Sequence, residues 1–197
     1  MTICAFTLGG TGARSGQGKM HATLIAQSAV MSAVIAVLTL IAFPLPPPLT
    51  AVTLAPVAIF VTSTFLAPRV GFVSALIGSE LGFTVAAASG IMSGAPLFPV
   101  FLLAVILARG PEGYIIGILR KKHEILAMVA GTIFESLVFF AIDYSLTYPI
   151  VLGLSRDLAY LDFGMLIDLV SVVPVFVLRY LRSQLGVRYY DEPVAYG

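Results

Sequence analysis

A chain of 197 residues that is 59% hydrophobic and 11% charged, with a mean hydropathy of +1.02, carries more apolar surface than one soluble core of this size buries. Such a composition excludes a water-soluble globular domain and points to an integral membrane protein. A formal net charge of +1 gives no sign of a nucleic-acid partner, and the single Cys4 excludes an internal disulfide framework.

The first stretch of interest is Gly9 to His21, GGTGARSGQGKMH, which ends in Gly18-Lys19 like a phosphate-binding loop. That loop needs G-x-x-x-x-G-K-[ST] between a strand and a helix, so that backbone N–H groups cradle phosphate and the hydroxyl meets magnesium. Here Ala13 stands at the first glycine position, Met20 follows the lysine, and no β-branched run precedes. Residues 1–21 are therefore expected to be a flexible cytoplasmic tail, with no cofactor and no nucleotide site. A secretory signal is not expected either, because the polar stretch comes first and the next apolar run is too long.

A spanning helix needs roughly 20 mostly apolar residues at a rise of about 1.5 Å each. Six segments are predicted within residues 22–183. The first runs from about Ala22 to Phe43 and stops at the proline-rich PLPPPL; the second, about Ala51 to Ala67, is closed by Pro68-Arg69. The third covers about Val70 to Ser89, before the loop GIMSGAP. Leu97 to Ala108 is too short to cross alone, but GYIIGIL follows and ends in Arg120-Lys121-Lys122. Leu97 to Leu119 thus reads as one kinked helix of roughly 34 Å with Arg109 inside it, the opposing reading being a half-helix and an interfacial segment. The fifth helix is expected at about His123 to Ile142 and the sixth at about Phe163 to Arg182. Between them lies the longest external loop, with Tyr144, Tyr148 and Tyr160 suited to the interfacial belt, and residues 184–197 form a cytoplasmic tail.

The fold expected is thus all-α and polytopic, with both termini cytoplasmic. Charge placement supports that count: Arg14, Lys19, Arg69, Arg120, Lys121, Lys122, Arg179, Arg182 and Arg188 then fall inside, and only Arg156 outside. Measured inward from the basic ends, Glu80, Arg109, Glu135 and Asp168 all reach a plane roughly 16 to 18 Å deep. Ionisable groups there cost a few kcal/mol or more unless paired or wetted, so they mark a functional site by default. In the structural alternative Arg109 pairs with Glu80 or Glu135, Glu112 answers one turn on, and Asp168 is protonated or hydrogen-bonded. In the functional one the carboxylates outnumber the arginine, leaving acceptors for a ligand with N–H donors or positive charge; an anion or zwitterion on Arg109 stays open. Ala22, Ala26, Ala29, Ala33 and Ala36 form a small-residue face on the first helix, and Gly71, Ala75, Gly78 and Gly82 form another on the third. Both suit close helix contact, within the bundle or with another membrane subunit. His21 and His123 lack spaced partners, so no metal is expected.

The run LAPVAIFVTSTFLAPRVGFVSALIGSELGF, together with ARGPEGYIIGILRKK and the A-x-x-x-A steps at Ala22, Ala26, Ala29 and Ala33, resembles the substrate-binding S components of energy-coupling-factor vitamin transporters. The resemblance covers nearly the whole chain. It implies a subunit, not an enzyme, in the cell membrane of a prokaryote, which captures a water-soluble vitamin or precursor and works with a transmembrane T component and two ATPase subunits. It further implies lid loops at Pro46 to Leu49 and Ser93 to Leu97, and a substrate site of Glu80, Arg109, Glu135, Asp168, Phe139, Ser93, Pro47 and Leu49. Ala22, Ala26, Ala29 and Ala33 would dock the T component. The departure from the pattern is Gly110-Pro111 within the fourth helix. The rival expectation is a self-sufficient proton-coupled carrier using Glu80 and Glu135, although the two halves show no repeat.

Overall fold

The computed structural model describes residues 12–44, 51–90 and 98–184. Helix α1 (Gly12–Leu40) begins before the predicted Ala22. Ala13, Arg14, Gln17 and Lys19 are good helix formers, and no proline interrupts the run until Pro44. The residue before a proline is pushed out of helical geometry, and Ala42–Pro44 (β1) instead pairs antiparallel with Ala51–Thr53 (β2), Phe43 opposite Val52. Phe43 and Ala51, expected at helix ends, therefore sit in a short ladder.

The largest departure is the second helix. Helix α2 (Ala55–Phe65) has 11 residues, about 16 Å at helical rise, too little to cross a bilayer unaided. Apolar on every side, it is buried as such a helix must be, with Ala55, Ile59, Phe60 and Ser63 inaccessible. It touches α1, α3 (Pro68–Ala88), α4 (Phe98–Leu119), α6 (Val172–Gln184) and the 3-10 helix described below, and so forms the hub of the bundle. The guanidinium of Arg120 donates to the carbonyl oxygens of Ser63, at 2.9 Å, and Thr64, satisfying acceptors that a helix C-terminus leaves open.

Around this hub the long helices follow one another in an arc, α1 on α3, α3 on α4, and α4 on α5 (Glu124–Ile142). The glycine face of α3 is spent inside the bundle. A Cβ on Gly78 would come within 2.7 Å of Ser32 O on α1, and one on Gly113 of α4 within 2.6 Å of Gly71 O. Small residues let backbones meet this closely where lipid offers no hydrophobic drive. Helix α4 is continuous from Phe98 to Leu119 despite Pro111, in line with the single-helix reading.

After α5 the backbone leaves α geometry. Asp143–Val151 forms a π-helix, the expected external loop being helical instead; Leu152 N–H reaches back to Thr147 O at 3.0 Å. Pro149, which lacks an N–H, sits within this wider turn, and Gly153 at φ +65° then reverses the chain in the left-handed region that glycine tolerates. Ser155 caps a 3-10 helix, Arg156–Ser171, by accepting from the Asp157 N–H at 3.3 Å. That helix passes directly into α6, so the sixth pass begins before Phe163 and is only partly α-helical.

Among the described residues five helical stretches are long and apolar enough to cross a membrane, His21–Leu40, Pro68–Ala88, Pro99–Leu119, Glu124–Val151 and Arg156–Leu181. The chain is an all-α polytopic membrane protein. Arg69, Arg120 and Arg179 lie at one end of it, where Arg120 meets the end of α2, Gly117 abuts Pro68, and Arg179 pairs with Glu124.

Candidate functional site

The site is built on α4, α5 and the 3-10 helix. Arg109 Nη1 lies 2.7 Å from Glu135 Oε1 and 3.3 Å from Glu112 Oε2, and its Nη2 lies 3.7 Å from Asp168 Oδ2. The two glutamates share one guanidinium nitrogen and come from different helices. Glu112 and Glu135 are inaccessible to solvent, and Arg109 and Asp168 nearly so. Arg109 and Glu112 are neighbours by the three-residue step of a helix, and Glu135 faces them because α5 runs antiparallel beside α4.

The electrostatics are lopsided. One guanidinium faces three carboxyl groups, and a buried charge without a partner costs several kcal/mol. Oε2 of Glu135, Oε1 of Glu112 and Nε of Arg109 are buried and complete no hydrogen bond, while Oε1 of Glu135 is held by the ion pair with Arg109. Ser136, beside Glu135 on α5, is 1% exposed with an unpartnered hydroxyl. What the arrangement can do chemically is accept protons, or N–H donors and positive charge, from outside itself. Among the described residues no group of three or more His, Cys, Asp or Glu is set to hold a metal ion.

The predicted residues separate into groups. Arg109, Glu135 and Asp168 come together. Glu80 does not join them: Arg109 forms its ion pairs with Glu112, Glu135 and Asp168, and Glu80 is half-buried on α3 with Oε1 enclosed and unpartnered. The cause is the position of α4 between α3 and α5. Phe72 and Leu76, which precede Glu80 along one stripe of α3, pack on Gly110, so that stripe meets the flank of α4 that carries Gly110. Phe139 is 1% exposed in an apolar cluster with Phe83, Ala104, Val105 and Ala108, one turn beyond Glu135. Pro47, Leu49 and Ser93, with both expected lid loops, lie outside the described residues.

Ala22, Ala26, Ala29 and Ala33 are all exposed on α1, on the flank next to the face that sets Ser32, Ile35 and Thr39 against α3. A groove of about 520 Å³ opens beside that face, lined by Ile25, Ala29, Ala33, Val73, Ile77 and Arg69 among others, and does not touch the Arg109 cluster.

No family model, curated protein or solved structure matches the chain. Its chemistry has to be read from its own residues.

Two features escaped the sequence reading. The sequence offers Glu112 only as a structural answer to Arg109, yet it lies in the centre of the cluster. On the 3-10 helix the residues Ala159, Asp162, Asp168 and Ser171 are all buried, at a spacing of multiples of three that matches the eclipsed side chains of that geometry. That period stands in the sequence and could have revealed Asp162. It was hidden because the stretch before Phe163 reads as a loop.

Proposed function

We propose that this chain is the substrate-capture subunit of an energy-coupled uptake system in a prokaryotic cell membrane, taking up a small water-soluble vitamin or vitamin precursor. The observation that carries the reading is the excess of buried carboxyl groups over arginine at Arg109, Glu112, Glu135 and Asp168. A solute bearing N–H donors or a positive charge would complete Glu135 Oε2 and Glu112 Oε1, the oxygens that Arg109 does not hold. In this reading both termini are cytoplasmic, Ala22, Ala26, Ala29 and Ala33 dock a transmembrane T component, and two ATPase subunits on other chains supply the energy. This chain then performs no catalysis. The test is calorimetry of the purified chain against thiamine, pyrimidine, riboflavin, folate, biotin and cobalamin compounds. Binding that Glu135→Gln weakens tenfold or more supports the reading, and no binding across the panel defeats it.

A second reading, a self-sufficient proton-coupled carrier, draws on one observation: Glu80 is half-buried with Oε1 enclosed and completing no hydrogen bond, while Arg109 forms its ion pairs with Glu112, Glu135 and Asp168. It requires uptake into liposomes that contain this chain alone, driven by a pH gradient and lost in Glu80→Gln.

A further inference from the structure

Away from the Arg109 cluster, the flank of the bundle around α3 carries an unmatched cation. Arg69 is exposed in the first turn of α3 and, among the described residues, forms no ion pair or hydrogen bond. Arg120 and Arg179 at the same end are committed, the first to the carbonyls of α2 and the second to Glu124.

Arg69 heads a stripe. Val73, Ile77 and Leu81 follow it at steps of four, which in an α-helix stack side chains along one flank. Ile25, Ala29 and Ala33 repeat the same step on α1. The two helices run parallel, since Gly78 meets Ser32 and Ile35 while Gly82 meets Ala36 and Thr39, so both stripes rise from the same end. Between them lies the groove of about 520 Å³. A second groove, of about 370 Å³, opens from Arg69 and Val73 toward α4 and is walled by Phe72 and Tyr114, whose rings meet edge to face at 6.2 Å. One cation therefore stands at the head of two apolar grooves, with Val73 as the ridge between them.

Size and charge decide what fits. From Arg69 to Leu81 is about 18 Å at helical rise, close to the half-thickness of about 15 Å of a bilayer's hydrocarbon core and well short of the roughly 30 Å that a spanning partner helix would run. A protein helix laid there would also have to bring an anion to the height of Arg69. A phospholipid carries its phosphate at that height and its two chains beneath it, and a guanidinium matches phosphate oxygens in a bidentate fork.

We propose that this flank binds one anionic diacyl phospholipid. Its phosphate sits on the Arg69 guanidinium, one acyl chain fills the groove between α1 and α3, and the other starts against Phe72 and Tyr114. An anionic headgroup is favoured over a zwitterionic one because Arg69, Arg120, Lys121, Lys122 and Arg179 gather at this end, and basic pockets between helices attract such headgroups. The site stands apart from the capture reading and does not depend on it. Ala29 and Ala33 belong to both surfaces, so a T component docking there would displace the acyl chain that lies on them.

The experiment is native mass spectrometry of the full chain released from nanodiscs of equimolar phosphatidylglycerol and phosphatidylcholine with matched acyl chains. One phosphatidylglycerol should be retained per chain, and Arg69→Gln should lower that retention about fivefold, the effect of one cation at an anionic surface. Lysophosphatidylglycerol, which engages one groove only, should be retained about tenfold less than the diacyl lipid, and glycerol phosphate not at all. Equal retention of phosphatidylglycerol and phosphatidylcholine, unchanged retention in Arg69→Gln, or equal retention of the lyso and diacyl lipids would each overturn the proposal. So would a lipid-free dimer that Ala29→Leu with Ala33→Leu splits, because the groove would then be a protein interface. Should Arg69→Gln not fold, photo-crosslinking of the wild type decides. Phosphatidylglycerol with a diazirine in each acyl chain should label the segment from Ile25 to Ala33 and the segment around Tyr114, and labels spread evenly over the exposed helices would remove the site.

Discussion

Replacing Arg109 with methionine isolates what the buried cluster contributes. Methionine approximates the aliphatic stem of arginine and removes the guanidinium, leaving Glu112, Glu135 and Asp168 facing one another. At an effective dielectric of about 20, unit charges at the observed 2.7, 3.3 and 3.7 Å attract by about 6, 5 and 4.5 kcal/mol. Much of that offsets desolvation, and breaking a buried pair typically costs a net of about 3–5 kcal/mol. For a chain of this size each kcal/mol lowers Tm by about 2–4 °C, so Arg109→Met should lose about 6–20 °C. The ranking of distances adds a sharper expectation. Glu135 makes the closest contact, so Arg109→Met with Glu135→Gln should regain about 2 kcal/mol relative to the sum of the single changes. Circular dichroism melts of the four proteins in nanodiscs measure this. A single-variant loss below about 2 °C, or strict additivity in the double variant, would refute the picture of one arginine holding three carboxyl groups.

Gly113→Val should prevent close approach of α3 and α4, since even a Cβ there meets Gly71 O at 2.6 Å; a cost above about 3 kcal/mol is expected, read as loss of monodisperse protein on gel filtration. Arg120→Met uncovers the carbonyls of Ser63 and Thr64 and should cost about 1–3 kcal/mol. Arg179→Ala breaks the pair with Glu124 at a largely exposed arginine and should cost less than about 1 kcal/mol; equal losses in Arg120→Met and Arg179→Ala melts would contradict the distinction. Ala29→Leu with Ala33→Leu changes two exposed positions, so Tm should move by less than the equivalent of about 0.5 kcal/mol. In the capture reading the same variant no longer co-purifies with a T component.

Length and apolarity were legible because they are sums over a segment, and a sum does not need the backbone geometry. The continuous α4 across Arg109-Gly110-Pro111 follows from such a sum, since neither half alone is long enough to cross. Helix type is not a sum. Proline at 149 and glycine at 153 signal a loop to any reading that expects α-helix or nothing, and the π and 3-10 turns that accommodate them passed unseen. The second helix is shorter than its apolar run for a related reason. Ala51 to Thr53 is apolar enough to extend it, but the prolines after Phe43 favour extended backbone, and those residues pair as a ladder.

The fate of Glu80 shows what depth alone leaves out. Counting residues from a basic end fixes a side chain's height in the membrane, and Glu80 was given the same height as Arg109, Glu135 and Asp168. Pairing also requires azimuth, which advances about 100° per residue and depends on which neighbour each helix faces. Arg109 and Gly110 are adjacent in sequence and thus about 100° apart around α4. Gly110 lies against Phe72 and Leu76 of α3, while Arg109 reaches α5 and the 3-10 helix. A carboxylate on α3 and one on α5 therefore approach α4 from different directions, and only the second pairs with the guanidinium. Glu112, three residues beyond Arg109, needs no such luck, because its height and azimuth both follow from the same helix. That is why the partner most certain from the sequence is the nearest one along the chain, and why equal depth alone does not bring Glu80 to Arg109.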